Sequence, residues 1–217
     1  MEIIQTQVAL FFRSQFEAGF EELAPKFRSK IPDIQSQFFP VPPVAPPEIP
    51  RLLLSCARMK ININISKNRA DIFFNDSAMV INVVKDVVAI LTQYKITIDR
   101  IGFVQKVFIE TGADALLKLI SEDKRPSVAK ELVIRINLSK NIGEYECNNI
   151  ETLTYATATK QEAAGTISKQ GVMIERDVNT LIEKRLDYDF TAENISQFIE
   201  QLKVEADNRI LLKENGN

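Results

Sequence analysis

Glu183, Asp187 and Asp189 come nearest, in type and spacing, to a group that could do chemistry. Read as a strand, Ile182–Phe190 puts Ile182, Leu186, Tyr188 and Phe190 on one face and Glu183, Arg185, Asp187 and Asp189 on the other. Two carboxylates at i and i+2 of a strand stand roughly 7 Å apart, a spacing that suits a divalent cation or an acid–base pair. Arg185 sits between them, however, and no second acidic cluster lies nearby in sequence, which is the pattern of a solvated face. No catalytic residue, metal ligand or cofactor is therefore assigned.

A second constellation is basic. Arg51, Arg58, Lys60, Lys67 and Arg69 fall in a stretch that contains no acid. On a hairpin, Arg58 and Lys60 share a face and Lys67 and Arg69 sit at its tip, an arrangement able to grip an anionic partner. These five are the candidate partner-binding residues. The competing reading is a solubilising hairpin whose lysines discourage edge pairing. No aromatic residues are interleaved for base stacking, which argues against nucleic acid.

A third is the run FFPVPPVAPPEIP, Phe38–Pro50, with PxxP spacings at Pro40–Pro43, Pro43–Pro46 and Pro47–Pro50. Such segments dock in aromatic-lined grooves. Phe38, Phe39, Val41, Val44 and Ile49 would be wasted in a solvated ligand, so the run is expected to be an ordered strap packed across the fold.

What is missing narrows the chemistry. Histidine and tryptophan are absent, which removes imidazole ligands, imidazole bases and Ser–His or Cys–His pairs. The glycines form neither GxGxxG nor GxxxxGK[ST], so the two commonest phosphate cradles are absent. Cys56 and Cys147 are too few for a disulfide scaffold and fit no ligand spacing; both are expected to be small buried hydrophobes in a reducing cytoplasm. A net charge of −2 implies no nucleic-acid or membrane partner for the molecule as a whole. The opening MEIIQTQVALFF has no basic leader and does not read as a signal peptide. Asn82, Lys85 and Asp86 interrupt the longest apolar run, Ala78 to Leu91, so it is not expected to span a bilayer.

The elements that must position these residues follow from periodicity. Strands are predicted over Glu2–Phe12, Met59–Ile65 (with Leu52–Ala57 as an extension), Ala70–Phe74, Ile96–Ile109, Leu132–Leu138, Glu144–Thr159, Val172–Asn179 and Ile182–Phe190. Ile96–Ile109 is given a bulge or close approach at Gly102, Glu144–Thr159 a break at Asn148-Asn149. Ser139–Gly143 reads as a turn and 160–171 as a polar loop. Helices are predicted from Ser14 through Phe27, broken near Leu23–Ala24 by Pro25; from Asp76 or Ser77 to Tyr94; over Thr111–Ser121; and from a Thr191 cap through Ile210. Glu175, Arg176 and Asp177 read as cross-strand charge pairs.

Strands arriving in runs, with strict alternation where one face is wet, indicate α+β. The expectation is a mostly antiparallel sheet with helices packed on one face, a single domain over 1–213 and a frayed tail at 214–217. Doubly wound α/β is the alternative.

The layout, together with KFRSKIPD at 26–33, IDRIGFVQKVF at 98–108 and LDYDF at 186–190, resembles a family of uncharacterised, sporadically distributed bacterial proteins of similar length. In that family the RIGF-like strand tends to end near an asparagine, where Val107-Phe108 stand here. The resemblance implies a bacterial or phage origin and no particular activity. The functional expectation is a non-enzymatic, cytoplasmic interaction protein of accessory, regulatory, immunity or chaperone-like type. It would bind a protein partner, or itself, through a sheet edge or the basic hairpin. The alternative is a small-molecule binder or carboxylate-only enzyme with a pocket between helix 77–94 and the sheet.

Overall fold

β-branched and aromatic residues dominate Glu2–Phe12, and in the computed structural model they form β1, the centre of the molecule. Residues 2–17, 19–75, 79–120, 132–162 and 165–208 are described. The further strands are β2 (Gln35–Phe38), β3 (Leu52–Cys56), β4 (Ile61–Ile65), β5 (Arg69–Phe74), β6 (Ile98–Glu110), β7 (Val133–Ile142), β8 (Tyr145–Glu162) and β9 (Gly165–Thr180). The helices are α1 (Leu23–Lys30), α2 (Val80–Gln93), α3 (Asp114–Leu117) and α4 (Ile195–Asp207). All nine strands join one sheet in the order β2-β3-β4-β5-β1-β6-β9-β8-β7, and every neighbouring pair is antiparallel. The class is α+β, and the doubly wound alternative is excluded.

Register explains the core. Leu54, Ile63, Ile72, Val8, Phe103 and Val178 lie opposite one another in a row across six strands, each at most 1% exposed. Val80, Val83, Val84, Val87, Val88, Ile90 and Leu91 of α2 and Ile195, Phe198, Ile199 and Leu202 of α4 share one buried cluster with them. The β-branched residues of α2 are poor helix formers, so burial holds this helix rather than propensity.

Two residues along, the row changes character. Thr6, Gln105, Arg176 and Glu151 face one another across β1, β6, β9 and β8, and all are at most 3% exposed. Beyond them lies a second apolar cluster of Val107, Leu153, Val172 and Ile174, with Leu116 of α3. A buried polar belt thus divides two hydrophobic cores. Arg176 Nη1 donates to Glu151 Oε2 at 2.8 Å and Nη2 to Asn149 Oδ1 at 2.7 Å. The same guanidinium donates to the carbonyls of Glu205 and Asn208. A cation at the C-terminal carbonyls of α4 complements the helix dipole and satisfies acceptors the helix leaves free. Gln105 Nε2 donates to Asp207 Oδ1 at 3.1 Å and Asn149 Nδ2 to Glu205 Oε1 at 2.6 Å, completing the dock.

Several expectations are corrected. Pro25 does not break a helix from Ser14: it stands in the first turn of α1, where its missing N–H would be unpaired anyway. Leu52–Cys56 is a separate strand that turns at Ala57–Lys60 onto β4. Gly102 stays in register opposite Ala9 and Asn179, and a Cβ there would meet ordinary contacts at 3.6 and 3.8 Å. The bulge falls at Asp99, because Phe11 pairs Arg100 and Phe12 pairs Ile98. β7 runs through Ser139 to Ile142, and the turn is Gly143-Glu144, where Gly143 has φ +60°. β8 is unbroken at Asn148-Asn149. Asp76, Ser77 and Ala78, expected to open α2, lie outside the described residues, as do 209–217.

The largest correction concerns 160–171, expected as a loop. β8 and β9 pair continuously from Cys147–Thr180 to Glu162–Gly165. Past the last pairs with β7 (Thr154–Val133) and β6 (Gly171–Glu110) they continue as a two-stranded arm. Gly171 sits at the root of this arm. A Cβ there would stand 2.2 Å from the Ile109 carbonyl oxygen and 2.6 Å from Phe108 Cζ. Gly171→Ala is therefore expected to cost about 1–3 kcal/mol through forced separation of β6 and β9, measured by urea unfolding; an unchanged midpoint would contradict the close approach.

The proline run closes β2 to β3. Phe39 N bonds Arg51 O, Ala45 N bonds Pro42 O, Ile49 N bonds Pro46 O and Lys67 N bonds Pro47 O. Val44 is 94% exposed and Phe38, Phe39 and Ile49 about 40%.

Candidate functional site

The sheet order leaves two outer strands, and they differ. β2 has four residues. β7 has ten, VIRINLSKNI, and pairs only with β8 among the described residues. Its inner partner is in full register from Val133–Thr154 to Ile142–Tyr145. Val133 and Leu138 are 50% and 48% exposed. β7 contains no acid; its cations are Arg135, exposed, and Lys140, whose Nζ lies 2.6 Å from Glu205 Oε2. An extended strand of this length keeps alternate backbone N–H and C=O groups directed away from the sheet.

The five basic residues do not form one patch. Arg58 and Lys60 lie in the Ala57–Lys60 turn at one end of β4, Lys67 and Arg69 at the other. The five residues of β4 between them span about 17 Å. Arg58 Nε is 3.5 Å from Asp33 Oδ2, both well exposed. Lys60 is exposed, with φ +52°. Lys67 Nζ is 3.4 Å from Glu17 Oε2. Arg69 grips Asp71 with Nε and Nη2 at 2.7 and 2.8 Å. Arg51 Nη1 donates to the Val41 carbonyl at 3.2 Å, within the proline run. Acids or carbonyls thus hold four of the five, and the sequence showed the cations without the partners folding brings to them.

Glu183, Asp187 and Asp189 do not share a strand face. Ile182–Asp187 is a 3-10 helix, and only Phe190 returns to the sheet, bridging Ile98. Apolar Ile182 and Leu186 are four apart, a spacing that a period of two and a helical turn both accommodate, so it does not separate the two. Among the described residues no group of three His, Cys, Asp or Glu side chains could hold a metal ion. The LDYDF segment instead supplies Tyr188 and Phe190 to an aromatic cluster with Tyr145 and Phe198, with Tyr145–Phe198 centroids 4.4 Å apart.

No protein-family model matches this chain, and no curated protein matches it.

Neither thiol has the makings of a nucleophile. Cys56 and Cys147 are free and buried, and burial, aided by Glu205, pushes the Cys147 thiol up to about 12. Burial likewise raises Tyr145 to about 12, with Glu144 adding to it. The facing surfaces of α2 and the sheet fill one another with side chains at most 2% exposed. Open clefts lie elsewhere. One of about 580 Å³ is bounded by Asp33, Arg58, Lys60 and Asn75; another of about 710 Å³ lies along Gln5, Gln37, Asn62, Asn64 and Phe73. Among the described residues no helix is long and apolar enough to cross a membrane.

Proposed function

We propose that this chain is a non-enzymatic interaction module that recruits a strand of a partner protein onto the outer edge of β7. The observation carrying this reading is the ten-residue strand at the end of the sheet order, with no strand beyond it among the described residues. Such an edge presents a ready ladder of donors and acceptors, and an added strand gains affinity from the main chain and specificity from alternate side chains. In this reading α1, α2 and α4 gather on one face of the sheet, and Phe38–Pro50 acts as an ordered strap at the β2 end. That leaves β7 as the working edge.

Charge indicates what kind of strand. With Arg135 exposed and no acid on β7, and with Lys140 already met by Glu205, a strand carrying a carboxylate opposite Arg135 is favoured. A second copy is less suitable, because another β7 carries no acid to set against Arg135. The role is accessory, regulatory, immunity or chaperone-like, in the cytoplasm.

The test is capture from native lysate with the wild-type chain and with Arg135→Glu/Leu138→Glu. Both sites are exposed, so stability should change by no more than about 0.5 kcal/mol, while capture of the specific partner should fall at least tenfold. A partner retained equally by the variant, or a protein that stays a partnerless monomer, would overturn the reading.

A further inference from the structure

Three arginines that are far apart in sequence converge on one small cleft beside the Asp99 bulge. Arg13 follows β1, Arg100 lies on β6, and Arg185 lies on the 3-10 turn after β9. Together with Ser14, Gln15 and Asn68 they bound a cleft of about 210 Å³ whose described lining includes no carboxylate. We propose that this cleft binds a small multivalent oxyanion of the phosphate class, held by the guanidiniums of Arg13, Arg100 and Arg185.

The three side chains are fixed in place. Arg100 lies over the Phe11 ring at 4.5 Å and donates from Nε to the Thr180 carbonyl at 3.2 Å and from Nη2 to Asn179 Oδ1 at 3.3 Å. Arg185 Nε donates to Asp99 Oδ2 at 3.0 Å, and its Nη2 to the Arg13 carbonyl at 3.3 Å. Arg13 Nη2 donates to the Tyr188 carbonyl, and its Nε lies 3.8 Å from the same Asp99 oxygen. These contacts occupy Nε and Nη2 throughout; the Nη1 groups have no hydrogen-bond partner among the described residues. A guanidinium presents five donors in a rigid fork that matches oxyanion geometry, so each retains donors for a ligand.

The bulge is what builds the site. By dropping Asp99 out of register with β1 it lets one carboxylate, 1% exposed, steer two arginines while remaining outside the lining. The described lining of the cleft is thus cationic, with Asp99, Asp177 and Glu183 all set outside it, and an oxyanion entering it meets three guanidiniums directly. Asp177 and Glu183 also act on Arg100, as do Arg69 and Arg185; burial, more than any of them, lowers the Arg100 pKa. Arg69 is already neutralised by Asp71. The cleft is small enough for an inorganic anion or the phosphate of a monoester.

Isothermal titration of the full chain with inorganic phosphate and with pyrophosphate, at constant ionic strength, tests this directly. Saturable one-site binding is expected. Arg100→Gln and Arg185→Gln should weaken it at least tenfold, Arg100→Lys should weaken it less, and Lys106→Gln, on β6 but away from the cleft, should leave it unchanged. Circular dichroism checks that each variant is folded. Absence of saturable binding by the wild type, or equal weakening by Lys106→Gln, would overturn the proposal.

Discussion

Glu151→Leu is expected to lower folding stability by about 3–5 kcal/mol, because it leaves the buried Arg176 guanidinium without its counter-charge. Arg176 is 1% exposed and Glu151 0%, and they pair directly across β9 and β8 at 2.8 Å. The desolvation of two charges is offset only while both are present. Asn149 and the α4 carbonyls still bond Arg176 in the variant but carry no negative charge. In a chain of 217 residues the loss corresponds to a fall in Tm of about 10 °C. Glu151→Leu/Arg176→Met removes both charges and should recover part of the loss, since apolar replacement of a whole buried pair is often neutral while Asn149 Oδ1 and the α4 carbonyls lose their donor. Urea unfolding of the three proteins distinguishes the cases. A single variant within 1 kcal/mol of the parent would mean that the belt is not held by this pair.

Phe103→Ala is the second large effect, also about 3–5 kcal/mol. Phe103 is fully buried on β6, opposite Val8 and Val178. The two neighbours are fixed in the ladder, so the site cannot collapse around the missing ring, and a cavity adds to the lost transfer energy. Phe103→Leu should cost less, because more of the volume is kept. Equal losses for the two variants would show that the row relaxes and that α2 and α4 are not seated on it as described.

The sheet was legible where one face is wet and the other buried. β1 matches its predicted span, Glu2–Phe12, and the Ile-Asn alternation of β4 gave both the strand and its inward residues. Where burial does not follow alternation, the sequence misled. The arm, 157–162 and 165–170, sets one large apolar residue, Ile167, among Thr, Ala, Lys, Gln, Glu, Gly and Ser; lacking an apolar face, it reads as loop from 160 onward, although the recurring β-branched threonines favour extension. The Ile182–Asp187 turn borrowed a period of two from Tyr188 and Phe190, which follow it. Arg176 reads as a member of cross-strand charge pairs, and it does pair across the strands with Glu151; its burial is not legible, because the sequence cannot say that α4 ends over β9. The shift in apolar phase near Gly102 suggests a bulge or close approach there, whereas the register shift belongs to Asp99. The arginine cleft left no local trace at all. Its members lie at 13, 100 and 185, and only the antiparallel order of β1, β6 and β9 brings them together.

Amide hydrogen exchange, residue by residue along β7 in the free protein, tests the central claim most directly. If the outer edge is open, residues from Val133 to Ile142 should alternate: amides directed at β8 protected, those directed outward exchanging quickly, with β9 protected from Gly171 to Asn179, where β6 and β8 flank it. Uniform protection of β7 at the level of β9 would show the edge already covered, and would contradict a strand-recruiting role.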